Sequence, residues 1–285
     1  MGEFPPFPAA AVATAESVCG IPVELKEISY RRGAAVWKAT GPEGTVAVKA
    51  GDGEGAAVTQ REAAVLKAIG WPDYLLASGG DEDVAWLVTH WFAGPSTWQA
   101  FAPVRGDADG KEGALAASVD LCRAVAVLHS SGWIHSDLQP SHGIHTDHGV
   151  RLIDCSWSWR EGTEPAAGFR GGLTHLVAPE LAASINAGIQ PATPSTAADV
   201  YALAGTLWTC ATGRWPLDYA AAGIEPGRLT PAELRAQIAD RRLPLDTAAP
   251  WPAFQDILRP VLLDRASDRP TAAELVEGLA TVAKC

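Results

Sequence analysis

The periodicity of the chain changes near residue 95, and that change limits the folds open to it. Before it, the apolar residues come in short runs. VELKEISYRR, AAVWKAT, GTVAVKAG and VAWLVTHWF carry β-branched and aromatic side chains, the composition of strands. Gly41-Pro42-Glu43-Gly44 places a turn between two of them. One helical run interrupts: TQREAAVLKAIG sets Ala63, Leu66 and Ile69 at helical spacing and stops at Gly70. Beyond residue 95 the pattern is helical. GALAASVDLCRAVAVLHSSG puts Ala117, Leu121, Ala124, Val125 and Leu128 on one face. STAADVYALAGTLWTCATG and TAAELVEGLATVAKC are further helices, each opened by Ser or Thr near an N-cap. No internal repeat is present. An α+β chain is expected, with a small β-rich part followed by a larger, mostly helical one and a join near Trp91–Gly94.

With 285 residues the chain can form one large domain or two lobes. No uninterrupted apolar run approaches the roughly 20 residues that cross a bilayer, and the opening MGEFPPFPAAAVATAESVCG lacks the basic start of a secretory signal. Residues 1–20 read as a flexible N-terminal arm rich in Pro and Ala. The five cysteines (Cys19, Cys122, Cys155, Cys210 and Cys285) are scattered and form no CxxC pair. That argues against a disulfide framework or a structural zinc site and favours a reducing, cytoplasmic setting. A net charge of −11 repels nucleic acid and anionic lipid, so neither nucleic acid nor membrane is an expected partner.

Short motifs fall in a fixed order along the chain. VAVK (Val46–Lys49) ends a strand, and Glu62 lies in the helix after it. HSDLQPSH follows at 135–142, IDCS at 153–156, APE at 178–180, DVYALAG at 199–205 and DRASDRP at 264–270. In order and context this resembles the protein kinase superfamily, whose signatures are the strand lysine of VAIK, HRDLxxxN, DFG and APE. The resemblance covers roughly residues 25–283. It implies a bilobal kinase-like fold: a β-rich N-lobe over 21–92 and a helical C-lobe over 93–285.

The resemblance also assigns roles. Lys49 would hold the α- and β-phosphates of ATP, with Glu62 aiming it. Asp137 would meet the proton of the attacking hydroxyl, and Asp154 would bind Mg²⁺. His90, Trp91 and Phe92, at the join, would line the nucleotide together with Gly33 and Arg31 of the phosphate loop. Glu180 and Arg269 resemble the buried pair that fixes the activation segment, and Asp199 resembles the aspartate that holds the catalytic loop from below. His135 is expected to orient that loop.

Several positions depart from the family pattern. The phosphate loop reads SYRRGAAVWKA, with Gly33 alone and two arginines, Arg31 and Arg32, that either contact phosphate or occlude the site. His142 stands where an Asn ordinarily ligates a second metal; imidazole suits transition metals whereas Mg²⁺ prefers oxygen, so Mn²⁺ enters as an alternative. Gln139 replaces a lysine near the γ-phosphate, Ser136 replaces the Arg of HRD, and Cys155-Ser156 replace Phe-Gly. The spacing of His142, His145 and His148 also suggests a three-histidine metal site. In the kinase frame, however, 142–154 is a hairpin turning at Thr146-Asp147-His148-Gly149, with His145 and His148 facing solvent at its outer end.

Three functions stand open at this point. The leading one is an ATP-dependent phosphotransferase acting on a Ser or Thr of a peptide or protein, in a bacterial setting and by analogy a natural-product precursor peptide. The second is a pseudokinase that binds a peptide or protein partner. The third is a small-molecule kinase. The WSW at 157–159 supplies aromatic residues for either peptide docking or internal packing.

Overall fold

The computed structural model describes residues 8–31, 33–106, 108–166 and 168–282. The chain divides into two compact units, 1–92 and 93–285. The architecture is α+β, as the change of periodicity implies.

The first unit is a five-stranded antiparallel sheet in the order β1-β2-β3-β5-β4, built from β1 (Glu24–Arg31), β2 (Ala34–Gly41), β3 (Gly44–Asp52), β4 (Leu75–Gly80) and β5 (Val84–His90). Two helices accompany it, α1 (Ala9–Cys19) and α2 (Glu54–Ile69). Residues 9–19 correct the expectation of a flexible arm. Ala11, Ala15 and Cys19 recur every four residues, so they share a helix face. That face is fully buried on Ala39, Val46, Val48 and Val88 of the sheet. Small side chains let the helix lie close to the strands. The β2–β3 turn also holds its end, because the Glu43 N–H donates to the Cys19 carbonyl at 2.7 Å. β4, with the sequence LLASGG, has no β-branched residue and gives little strand signal by itself. It forms because β5 presents a free edge to pair with.

In the second unit, short helices α3 (Thr97–Ala100) and α4 (Ala102–Gly106) precede the long α5 (Lys111–Ser130). Then come β6 (Trp133–Ile134), the hairpin of β7 (Gly143–Thr146) and β8 (Gly149–Leu152), and β9 (Trp159–Arg160), which pairs with β6. α6 (Pro179–Asn186), α7 (Thr196–Thr212), α8 (Pro231–Ala239), α9 (Pro252–Leu263) and α10 (Ala272–Val282) complete it. α7 is the central element. Val200, Tyr201, Leu203, Ala204, Leu207 and Trp208 are all buried, on every side of the helix. Its start is set by Ser195, whose hydroxyl accepts the Ala198 N–H at 3.1 Å, and its end by left-handed Gly213. α5 is long and apolar enough by composition to cross a membrane, yet it buries Ala117, Leu121, Val125 and Leu128 and packs on α10.

Candidate functional site

Asp137 lies on the loop between β6 and β7, and that loop is held from below by one buried carboxylate. Asp199, in the first turn of α7, is 2 % exposed. Its Oδ2 accepts the His135 N–H at 2.7 Å and His129 Nε2 at 3.1 Å, and its Oδ1 accepts the Ser136 N–H at 2.8 Å. Two adjacent amides pointing at one carboxylate require a sharp reversal, and Ser136 accordingly has φ 68°. The His135 ring is fully buried. It accepts the Asp137 N–H at Nδ1 (3.3 Å) and donates from Nε2 to the Ile153 carbonyl at 3.1 Å. Burial pushes its pKa down, so the ring stays neutral and serves to orient the loop.

The Asp137 carboxylate is itself held. Oδ1 accepts the Leu173 N–H at 3.1 Å and Gln139 Nε2 at 3.3 Å. The chain reaches Asp137 through consecutive left-handed glycines, Gly171 (φ 86°) and Gly172 (φ 62°). A Cβ at Gly172 would stand 2.4 Å from Asp137 Oδ1, so only glycine allows this approach. Burial first, and then the charge of Asp154, push the Asp137 pKa up to about 7.

His142 and Asp154 complete the cluster. Nδ1 of His142 meets the Asp137 carbonyl at 2.9 Å. A carbonyl can only accept, so Nδ1 carries the hydrogen and Nε2 is left facing Asp154 Oδ2, 3.5 Å away. One ligand atom each from Asp137, His142 and Asp154 lie within 4.8 Å of one another. Asp154 is left-handed, at φ 60° and ψ 54°, a conformation an aspartate tolerates better than most residues. Two carboxylates and an oriented imidazole fit a divalent cation. The β7–β8 hairpin turns at Thr146–Gly149, as its sequence implies, and His148 is exposed there. His145 differs from expectation: it is half-buried and bonded through Nε2 to the Thr97 hydroxyl at 3.0 Å.

In the first unit, Lys49 on β3 and Glu62 on α2 form an ion pair at 2.6 Å, with side chains only 15 % and 8 % exposed. Gly33 lies at the tip of the β1–β2 hairpin. β1 and β2 are joined by two residues, since Arg31 pairs with Ala34, and the Gly33 carbonyl accepts the Asp52 N–H at 2.9 Å. A Cβ on Gly33 would lie 2.8 Å from the Asp52 carbonyl, and one on Gly55 would lie 2.1 Å from the Gly33 carbonyl. Gly33 thus allows the hairpin tip to pack on the start of α2. Arg31 is exposed at the end of β1, and Arg32 lies outside the described residues. His90, Trp91 and Phe92 close the unit. The His90 and Trp91 amides already donate to the Tyr74 and Thr45 carbonyls, at 3.1 and 3.3 Å, and the Phe92 ring lies 4.7 Å from that of Tyr74.

One structural pair stands as the motifs imply. Glu180 takes a bidentate bond from Arg269 at 2.5 and 2.9 Å, and Arg269 also donates to the Ala197 carbonyl at 3.0 Å. The WSW segment is internal packing: Trp159 pairs with Ile134, the Ser158 hydroxyl bonds the His135 carbonyl at 3.1 Å, and the Trp157 ring lies 5.5 Å from that of Phe169. Sequence reasoning missed His129, Gly172 and Leu173. Nothing in their local sequence marks them, because each acts on a residue far away along the chain.

No protein-family profile matches the chain. It is 33 % identical over 110 residues to the serine/threonine-protein kinase PknK of Mycobacterium tuberculosis, a match covering 38 % of this chain and 9 % of PknK. The same identity and coverage hold for PknK of Mycobacterium bovis. Against the serine/threonine-protein kinase mos of Gallus gallus it is 33 % identical over 100 residues, covering 33 % of this chain and 27 % of mos. The chain thus spans well under a third of the length of these relatives. Over about a third of its own length it is similar to serine/threonine kinases.

Proposed function

We propose that the chain transfers the γ-phosphoryl group of ATP to a hydroxyl, the acceptor being a serine or threonine of a peptide or protein. The observation that carries this is the Asp137 carboxylate, partly buried, fixed at Oδ1 by Leu173 and Gln139, and beside the Asp154–His142 pair. Partial similarity to serine/threonine kinases supports the reaction class.

Each side chain has a separate task. Oδ2 of Asp137 is the oxygen not engaged by Leu173 or Gln139, and it takes the acceptor's proton as the hydroxyl oxygen bonds to the γ-phosphorus and the β–γ bridging bond breaks, releasing ADP. Gln139 and Leu173 keep that carboxylate from rotating. Lys49, mounted on a strand and steered by Glu62, is a fixed cation for the phosphates. Asp154 and His142 would hold a divalent ion, which would supply positive charge against the phosphate oxygens.

Radiolabelled ATP, a divalent ion and a mixed Ser/Thr peptide library test this directly. Label should enter peptide with wild type, and Asp137→Asn should lower the rate by roughly 10²-fold or more. Equal labelling by Asp137→Asn would exclude Asp137 as the base. A second reading, a nucleotide- or peptide-binding module without turnover, draws on the two-residue β1–β2 connection packed against α2. ATP binding with no labelling under any ion would favour it.

A further inference from the structure

We infer that Asp137, His142 and Asp154 form a transition-metal site, one that takes Mn²⁺ in preference to Mg²⁺ and does so without nucleotide. As a statement about which ion serves phosphoryl transfer, this rests on the function proposed above. As a statement about binding, it rests on geometry alone.

The first argument is ligand type. Mg²⁺ selects oxygen, holds its waters tightly and is bound by few protein ligands in the absence of phosphate. An imidazole nitrogen shifts preference toward first-row transition ions. The second argument is orientation. His142 is 8 % exposed, and its Nδ1–H is fixed on the Asp137 carbonyl at 2.9 Å. An outer hydrogen bond of this kind sets the tautomer and aims the other nitrogen of a metal-binding histidine. The third is spacing. Two ligand atoms each about 2.2 Å from one six-coordinate ion stand about 3.1 Å apart at a right angle and farther apart at wider angles. His142 Nε2 and Asp154 Oδ2 are 3.5 Å apart, so one ion can bridge them without moving the backbone. Asp137 offers a third donor within 4.8 Å.

Mn²⁺ titrated into nucleotide-free protein and followed by electron paramagnetic resonance tests the site. Wild type should bind one Mn²⁺, and Mg²⁺ should displace it only at an excess on the order of tenfold or more. His142→Asn should lose Mn²⁺ affinity by about tenfold or more while Mg²⁺ affinity holds. Asp154→Asn removes a ligand that is 39 % exposed, so it spares the core and should also release Mn²⁺. Displacement by equimolar Mg²⁺ would overturn the inference, as would unchanged Mn²⁺ binding in both variants. No acceptor or ATP is present in this titration. Selective Mn²⁺ binding here, with no label transferred in the separate ATP and peptide assay, would defeat the phosphotransferase reading and leave the metal site standing. Label transfer together with equal binding of Mn²⁺ and Mg²⁺ would do the reverse.

Discussion

Replacing Asp199 by alanine should unfold the second unit more readily than any single change at its surface. The carboxylate takes three hydrogen bonds, two of them from adjacent backbone amides, and is 2 % exposed. Hydrogen bonds to a charged group contribute about 1.5–3 kcal/mol each, and an amide left buried without an acceptor costs about 1–3 kcal/mol. Alanine strands the His135 and Ser136 amides together, so a loss of about 3–5 kcal/mol is expected. For a unit of this size that lowers Tm by roughly 10 °C or more. Asp199→Asn keeps one acceptor oxygen but turns an NH₂ toward a donor, so about half that loss is expected. His129→Ala removes only one of the three donors and should cost less than Asp199→Ala. Thermal melting by near-ultraviolet circular dichroism, which reads the packed tryptophans, gives these shifts. A drop in Asp199→Ala below about 3 °C, or one matched by His129→Ala, would refute the claim that the backbone amides carry the effect.

Four further outcomes rest on other contacts of the structure. Because the Asp137 pKa is pushed up to about 7, phosphoryl transfer should fall as pH drops below that value, toward tenfold per pH unit; a flat rate between pH 5 and 7 would exclude a carboxylate base here. The sign for stability is opposite to that of a salt-bridged aspartate. The unfolded chain releases this proton near the ordinary aspartate value of 3.8 while the folded chain retains it to about 7. The folded state thus loses stability as pH rises across that window, and Asp137→Asn should melt higher than wild type at neutral pH. Lys49→Met removes the ammonium 2.6 Å from Glu62 and should cost about 3 kcal/mol, much of it recovered in Lys49→Met/Glu62→Leu; additivity in that double-mutant cycle would deny coupling. Gly55→Ala places a methyl 2.1 Å from the Gly33 carbonyl and should destabilise by about 1–3 kcal/mol, read by urea unfolding.

Much of the fold was legible because local rules carried it. The β-branched runs became strands, helical spacing marked α5 and α7, and Ser195 and Gly213 bounded α7. The β7–β8 turn was readable from Thr146–Gly149. Lys49, Glu62, Asp137, Asp154 and Asp199 were singled out through ordered motifs, and the structure forms the Lys49–Glu62 pair and the Asp199 anchor. Where the reading failed, the cause lay far away along the chain. β4 exists because β5 offers it an edge. Residues 9–19 look like an arm because alanine carries a weak hydrophobic signal, yet small side chains are what a helix needs to lie flat on a sheet. Gly33 also serves packing that its local sequence does not show, since a side chain there would meet Asp52 and one on Gly55 would meet the Gly33 carbonyl.

The sequence alone therefore marked most strands and helices, β4 and α1 excepted, and singled out the candidate site residues, since both depend on residue type and spacing of a few positions. Only the tertiary structure decided that His142 Nε2 faces Asp154, that Leu173 holds Asp137, and that His129 shares Asp199. Those contacts form between residues as much as 70 positions apart, and only a packed core brings such groups within bonding distance.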